Sequence, residues 1–302
     1  MENKTSLIGL STALADVVES VSRSVVRVEG RARPVSGTIF SAEGHVVAIS
    51  HTVERDEDVE VGLADGGLVR AGVVGRDPAT DLALLKAEAT ALTPAPWADL
   101  DAARVGQVLL GIYRPGRTAR ATLGILGALG DAWRTRSGGK IDRYLEASLP
   151  LQPGFSGGVL VDAGGRALAL STSGLLRGRA IGIPAATVTR VAQAILSHGS
   201  VRRGYLGVGS HPAALPAALQ SSLGQATGLL IVSVEPESPA AKAGLLLGDV
   251  IVAVGGQRTA EPADLLPSLD EENVGREAVL RVLRAGELRE LRVTIGARGR
   301  AR

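Results

Sequence analysis

The 302-residue chain has no cysteine, which excludes disulfides, thiolate catalysis and cysteine-ligated zinc. Aromatic residues are almost as scarce, at 2% of the chain. The core must therefore be assembled from Val, Leu, Ile and Ala. Only four histidines occur (His45, His51, His198 and His211), and no HExxH pattern is present. No metal site and no cofactor is expected on that basis. No apolar run reaches the roughly 18 residues of a membrane span. Lysine is rare as well: Lys4, Lys86, Lys140 and Lys242 stand among 33 basic residues, and the net charge is only +2. Without a dense basic stripe carrying interleaved aromatics, a nucleic-acid partner is not expected. The arginines from 298 to 302 read as a frayed, solvated tail. The start, Met1-Glu-Asn-Lys-Thr5, lacks the basic and apolar regions of a signal peptide. This predicts a cytoplasmic protein as written, and an extracytoplasmic one if a targeting segment has been removed.

What is present is a chain with 45% hydrophobic residues and 39 glycines. Residues 6–25 read as an amphipathic helix, with Leu7, Leu10, Leu14, Val17 and Val18 on one side. From residue 24 short apolar segments alternate with turns, as in Ser36-Gly-Thr-Ile-Phe40, His45–Ser50 and Leu82-Ala-Leu-Leu85. Their spacing suits a β-barrel or sandwich, and the lack of long helices between them disfavours a parallel α/β sheet. A helix is expected at 185–197, between Pro184 and Gly199. Residues 200–204 read as a linker. An α+β pattern follows, with strands at 228–234 and 250–254, a short helix capped by Ser238, a second helix at 261–269, and a hairpin from 277 to 295.

Peptide hydrolysis without metal or cysteine needs a hydroxyl made nucleophilic by a histidine, which a carboxylate orients. Pro153-Gly-Phe-Ser-Gly-Gly158 supplies a serine among glycines, where the N–H groups of Gly154 and Ser156 can converge on an oxyanion. Alone, such a segment is more often only a turn between strands. His51 has the alternative of a strand-end histidine satisfied by a carbonyl, and Asp81 that of a turn cap, the role expected for Asp77. His45 reads as a packing or surface residue, and His198 as a cation at a helix C-terminus.

Four segments carry a resemblance. Ser36-Gly-Thr-Ile-Phe40 with Gly44-His-Val-Val-Ala-Ile-Ser-His51 resembles the catalytic-histidine region of the HtrA/Deg family of trypsin-like proteases. Val73-Val-Gly-Arg-Asp-Pro-Ala-Thr-Asp81-Leu-Ala-Leu-Leu-Lys86 is similar to its aspartate segment, and Gln152-Pro-Gly-Phe-Ser156-Gly-Gly to its serine motif. Val201-Arg-Arg-Gly-Tyr-Leu-Gly-Val208 resembles the junction into its PDZ domain. The resemblance implies a mainly β protein: a chymotrypsin-like double β-barrel at 24–199, behind an N-terminal helical segment at 1–23, and a small α+β PDZ domain at 205–297. It implies a His51–Asp81–Ser156 triad with an oxyanion hole at Gly154 and Ser156. It also implies a substrate pocket walled by Leu170, Ser171, Thr172, Ser173 and Ile181, and capture of C-terminal peptides at Tyr205, Leu206, Gly207 and Val208. Unfolded protein substrates, protein quality control, a homotrimer and peptide-driven ordering of loops such as 133–143 follow from the same source. The chain departs from the family pattern at Phe155, where asparagine is usual, at Ala48-Ile-Ser50, and at Ser148, where an acid is usual. Those departures leave two other functions to weigh: a weakly active protease-like chaperone or scaffold, and an adaptor working through its PDZ domain.

Overall fold

Short apolar strands linked by tight turns close on themselves twice within the first two-thirds of the chain. The computed structural model describes residues 2–30, 33–150 and 152–297; the expected frayed tail at 298–302 lies outside the described residues. The chain divides into two units, Met1–Val201 and Arg202–Arg302.

In the first unit, helix α1 (Glu2–Ser22) packs Leu14, Val17, Val18 and Val21 against Val25, Ile112 and Val159, while Leu7, Ile8 and Leu10 stay exposed. Strands β1 (Val25–Val28), β2 (Val35–Ile39), β3 (His45–Ile49), β4 (Val59–Gly62), β5 (Leu68–Asp77) and β6 (Leu82–Ala87) form a closed antiparallel barrel, in the order β1-β2-β3-β6-β5-β4. Its interior is Val26, Val46, Val61, Leu85 and similar aliphatics, as the scarcity of aromatics requires. A second closed barrel follows, from β7 (Val108–Tyr113), β8 (Arg120–Gly130), β11 (Tyr144–Ser148), β12 (Val159–Asp162), β13 (Ala167–Thr172) and β14 (Ile181–Pro184). A small hairpin, β9 (Trp133–Arg134) and β10 (Lys140–Ile141), stands beside it.

Helix α2 (Ala185–His198) begins after Pro184 and ends at Gly199, whose φ of 72° lets its N–H reach Ile195 O at 2.7 Å. Its buried face, Val188, Val191, Ala192 and Ile195, joins one cluster with Val47, Ile49, Leu82 and Leu84 of the first barrel and Leu170 and Ile183 of the second. Each such side chain contributes about 1.5–3 kcal/mol on burial, so α2 clamps the two barrels together. The candidate triad residues lie where the two barrels contact each other, Thr38 bonding Gly157 and Thr172 bonding Asp81.

The second unit contains β15 (Gly204–Tyr205), β16 (Val208–Ala214), α3 (Ala217–Leu223), β17 (Thr227–Val234), α4 (Pro239–Lys242), β18 (Val250–Val254), β19 (Gln257–Arg258), β20 (Glu277–Arg284), β21 (Glu287–Thr294) and β22 (Gly296–Ala297). The main sheet runs β16-β17-β18-β20-β21, which makes β16 an edge strand. Leu206, Leu229, Ile231, Ile251, Leu280 and Val293 are central to its core. Ser238 caps α4 by accepting from Ala241 N–H at 3.1 Å.

Three expectations need adjusting. The helix expected at 261–269 is a 3-10 segment, Pro262–Leu269: Pro267 has no N–H to give and its ring opposes an α-helical turn there. Gly204 of the expected linker is already in β15, paired with Ala297. Helix α3 was not anticipated, although Pro216 before it and Gly224 after it, at φ 64°, are ordinary boundary signals.

Candidate active site

Register brings the acid and the base together. Strands β3 and β6 pair Ile49 with Leu82, so the residues just past that pair, His51 and Asp81, become neighbours. His51 sits in a 3-10 turn, Ser50–Thr52, and Ser50 N–H donates to Asp81 O at 2.8 Å. Asp81 takes φ of 64°, a left-handed conformation that aspartate tolerates better than most residues. His51 Nδ1 lies 2.9 Å from both carboxylate oxygens of Asp81. A carboxylate only accepts, so Nδ1 carries the proton and Nε2 is left as the base. Asp81 Oδ1 also accepts from His51 N–H at 3.1 Å, and Oδ2 from Thr172 Oγ at 2.9 Å. The hydrogen bond to Asp81 raises the His51 pKa above its usual value, and the charge of Asp81 adds to this; partial burial pulls the other way.

Gly174 closes over this pair. A methyl group there would sit 2.6 Å from His51 Cε1 and 2.7 Å from both Asp81 Oδ2 and His51 Nδ1. The turn carrying Asp81 is braced from outside by the β9–β10 hairpin, where Thr135 Oγ donates to Ala79 O at 2.7 Å. Asp77 is buried in the same turn and accepts from Thr80 Oγ at 2.7 Å, in keeping with the turn role expected of it.

The nucleophile segment is held from both barrels. Ser36 N–H donates to Ser156 O at 3.2 Å, Ser36 Oγ to Gly154 O at 2.9 Å, and Thr38 Oγ to Gly157 O at 2.9 Å. Gly157 N–H donates to Ser171 O at 2.8 Å. Gly157 has φ of 90°, and a Cβ there would fall 1.9 Å from Ser36 O, so no other residue fits. Phe155 is 2% exposed and stacks on Tyr113, with ring centroids 3.9 Å apart and planes 10° from parallel. The residue after Tyr113, Arg114, donates its N–H to Ser36 Oγ and its guanidinium to the carbonyls of Ser22, Val25 and Arg117.

Ser156 Oγ lies 3.2 Å from Ser173 Oγ; among the described residues no hydrogen bond joins it to the His51 ring. The N–H groups of Gly154 and Ser156 have no protein acceptor among the described residues, leaving two donors beside the nucleophile. They face a cavity of about 320 Å³ lined by His51, Gln152, Pro153, Gly154, Ser156 and Ser173. Arg33, Val35 and Thr52 complete the wall, and no acidic residue among the described ones lines it.

Of the five residues expected to wall a substrate pocket, only Ser173 lines this cavity. Leu170 and Ile181 are wholly buried, Leu170 in the cluster beneath α2. Thr172 is turned to Asp81, and Ser171 is buried with its backbone bonded to Gly157 and Gly158. His45 is a packing residue whose Nδ1 meets Ser41 Oγ at 2.9 Å; burial, and secondarily Lys86, lowers its pKa. Sequence reasoning passed over Tyr113 and Gly174, and gave Ser36 and Thr135, which lie in segments it did single out, no role of their own. Nothing local marks the roles of Ser36, Tyr113 and Thr135, whereas a glycine directly after Ser173 was a visible hint.

In the second unit, Tyr205 lies in β15 with its hydroxyl on Glu235, and Leu206 is a core residue. Gly207 has φ of 78° and accepts from Glu235 N–H at 2.8 Å. The N–H groups of Leu206 and Gly207 have no protein acceptor among the described residues. With Val208 opening the edge strand, they form a turn suited to a carboxylate.

Among the described residues no helix is long and apolar enough to cross a membrane, and no cluster of three or more His, Cys, Asp or Glu residues could hold a metal.

Comparison with known proteins agrees with this geometry. The trypsin-like peptidase domain family matches residues 35–170, and the PDZ domain family matches 204–295. A probable periplasmic serine endoprotease, DegP-like, of Brucella suis is 34% identical over 279 residues, covering 89% of this chain and 54% of the relative. A probable periplasmic serine protease, do/HhoA-like, of Haemophilus influenzae is 34% identical over 272 residues, covering 87% and 58%. The chain thus spans about half the length of the curated relatives it matches. Their names place those proteins in the periplasm, and the expectation of a cytoplasmic chain finds no support in them. Among solved structures, the HtrA-type protease AlgW with a decapeptide superposes with a TM-score of 0.76 at 29% identity, over 95% of this chain and 99% of that one. AlgW with a tripeptide reaches 0.74 at 32% identity, over 95% and 97%. Double barrel, catalytic segments and peptide-binding unit lead to one assignment: the chain belongs to the HtrA family of trypsin-like serine proteases and carries one PDZ domain.

Proposed function

We propose that the protein is a serine endopeptidase that cuts unfolded or damaged proteins, with His51, Asp81 and Ser156 as its triad. The observation that carries this reading is the buried Asp81 carboxylate fixing His51 Nδ1 near a serine whose own N–H and that of Gly154 have no acceptor among the described residues. Ser156 Oγ rotates off Ser173 and attacks the scissile carbonyl while His51 Nε2 takes its proton. Asp81 stabilises the imidazolium, and the N–H groups of Gly154 and Ser156 meet the oxyanion. His51 then gives the proton to the leaving amine, and water repeats the sequence on the acyl-enzyme.

With Arg33 on its wall and no acid, the cavity favours small or medium aliphatic residues before the cut over Arg or Lys. Cleavage sites mapped in unfolded casein test this; a dominant Arg/Lys preference overturns it. Peptide capture at Leu206–Val208 regulates the enzyme through its loops. The 133–143 segment is a suitable target because it already braces the turn that carries Asp81. The exposed Leu7, Ile8 and Leu10 of α1 suit self-assembly as a homotrimer, which sedimentation of the full chain would measure. Following the names of its relatives, we place its work outside the cytoplasm; fractionation of cells making the full-length protein tests that.

One observation favours a second reading, a weakly active scaffold that binds unfolded chains: the Ser156 hydroxyl rests on Ser173 and not on His51. A fluorophosphonate probe separates the two. Labelling abolished by Ser156→Ala supports the endopeptidase, and no labelling even with unfolded casein present supports the scaffold.

A further inference from the structure

Edge strand β16 has one neighbour, β17, and its other side is open. In an antiparallel ladder alternate residues turn their N–H and C=O to the same side. At the far end of β16, Leu215 N–H donates to Ala226 O at 2.9 Å, continuing the register that pairs Ala214 with Thr227. Leu215, Ala213 and His211 therefore face β17. At the near end Gly207 O accepts from Glu235 N–H, and the bulge at Gly209/Ser210 places its extra residue on β17, so Gly207 and Gly209 face β17 as well. Both ends agree. The residues presenting backbone to the open side are Val208, Ser210, Pro212 and Ala214.

Pro212 has no N–H. A peptide whose carboxylate sits in the Leu206–Val208 turn runs antiparallel to β16 when it adds as a strand. Its last residue then faces Val208, its third from last faces Ser210, and its fifth from last faces Pro212, where the donor is missing.

We propose that this site reads a carboxy-terminal segment of four residues, and that Pro212 sets the limit. Resting on the reading of peptide capture given above, the inference assigns its length specificity to one residue outside the carboxylate turn. A proline on an exposed edge also discourages pairing with long strands of other chains. The same missing donor leaves the pairing of a short chain end intact and weakens that of a longer strand. The partner is therefore a free C-terminus presented on an otherwise unconstrained tail.

The test uses the full chain carrying Ser156→Ala, so that ligand is not cut. Fluorescein-labelled peptides of three to eight residues, alanines ending in one valine with a free carboxylate, are titrated by fluorescence anisotropy. Affinity is expected to rise up to the tetrapeptide and to gain at the fifth residue no more than the single hydrogen bond that the Pro212 carbonyl can still accept, about half of what a residue with an N–H would offer there. Pro212→Ala should leave the tetrapeptide unchanged and tighten peptides of five or more residues by about three- to tenfold, one regained hydrogen bond. Ser210→Pro moves the stop towards the turn and should weaken the tetrapeptide by about tenfold or less, for the same reason. Affinity that climbs steadily to eight residues, or a flat profile in Pro212→Ala, overturns the length limit and leaves peptide capture standing. No binding by any peptide, with or without a free carboxylate, removes the capture reading and the limit with it.

Discussion

His51 and Asp81, on the first barrel, are held through directional polar contacts to the reacting side chains: the two oxygens of Asp81 accept from the His51 ring, the His51 N–H and, from the second barrel, the Thr172 hydroxyl. The Ser156 segment is held differently: Ser36, Thr38 and Ser171 bond only its backbone, and beneath it Phe155 is laid flat on Tyr113, so no bond of this set fixes the hydroxyl. The difference follows from what each half must do. A general base works only in one tautomer and one orientation, which hydrogen bonds specify. A nucleophile needs a rigid backbone beneath a hydroxyl that can turn, and apolar packing supplies rigidity without competing for the hydroxyl. If this contrast is correct, changes on the acid–base side should cost activity at nearly unchanged stability. Changes beneath the nucleophile should cost stability first.

The largest effect is expected from Asp81→Asn. The amide keeps the shape but offers the wrong hydrogen-bonding partner to Nδ1, and kcat should fall by about four orders of magnitude. Casein hydrolysis and circular dichroism of the same sample check both parts; a loss below tenfold would break the comparison. Gly174→Ala comes next. Its methyl group has to displace the His51 ring or the Asp81 carboxylate, and misplacement by about 1 Å can cost roughly 10²-fold in rate. Rates of fluorophosphonate labelling at Ser156 measure it directly.

On the other side, Phe155→Ala removes a buried ring and should cost about 3–5 kcal/mol of stability, read from urea unfolding of the full chain. Phe155→Leu should cost less and recover most of the activity, because it refills the space under the loop. Loss of activity in Phe155→Ala at unchanged stability would contradict a packing role.

These contrasts also explain what was legible in the sequence. His51, Asp81 and Ser156 stand in motifs because their chemistry admits few residue types and each is bound to its neighbours: Asp81 to the strand that follows, Ser156 to its glycines. The barrels were legible because period-2 apolar segments between turns leave few other folds. Thr172 and Ser36 were not, since a hydroxyl hydrogen-bonded to a residue 91 or 118 positions away leaves no local pattern. Nor was the Tyr113–Phe155 stack. Phe155 was visible only as a departure from the family's asparagine, and its partner lies in another strand. The expected pocket walls misjudged which β13 side chains reach the cavity: Leu170 points into the α2 cluster and Thr172 to Asp81.

The pH dependence sharpens the polar side. Since Asp81 holds the His51 pKa above the ordinary value of about 6.5, the acid limb of kcat/KM should lie above that pH. Activity is lost as pH falls through this limb, because the base becomes protonated. Stability runs the opposite way: the extra stabilisation of charged His51 is present below the unfolded-state pKa and fades as pH rises through the folded-state one. Thr172→Val removes a donor from the Asp81 carboxylate, leaving more of its charge to the imidazolium. The limb should move to still higher pH, with a loss at neutral pH of about tenfold. A limb that moves down would mean Thr172 acts only through packing.

The smallest effect separates packing from hydrogen bonding under the nucleophile. Tyr113 is fully buried, and its hydroxyl, like that of Thr122, has no hydrogen-bond partner among the described residues. Burial pushes the phenol pKa up; the nearby Thr122 and Ser171 hydroxyls act the other way without meeting it in hydrogen-bond geometry. If Tyr113 serves the Phe155 loop only through its ring, Tyr113→Phe keeps the stack and deletes an unpaired buried group. Such a group costs about 1–3 kcal/mol in mutational data, so the variant should be as stable as the parent or more stable by up to about 1 kcal/mol. Its kcat/KM should be unchanged. A destabilised Tyr113→Phe would show that the hydroxyl is anchored after all, and that the stack beneath Phe155 depends on a directional bond as well as on packing.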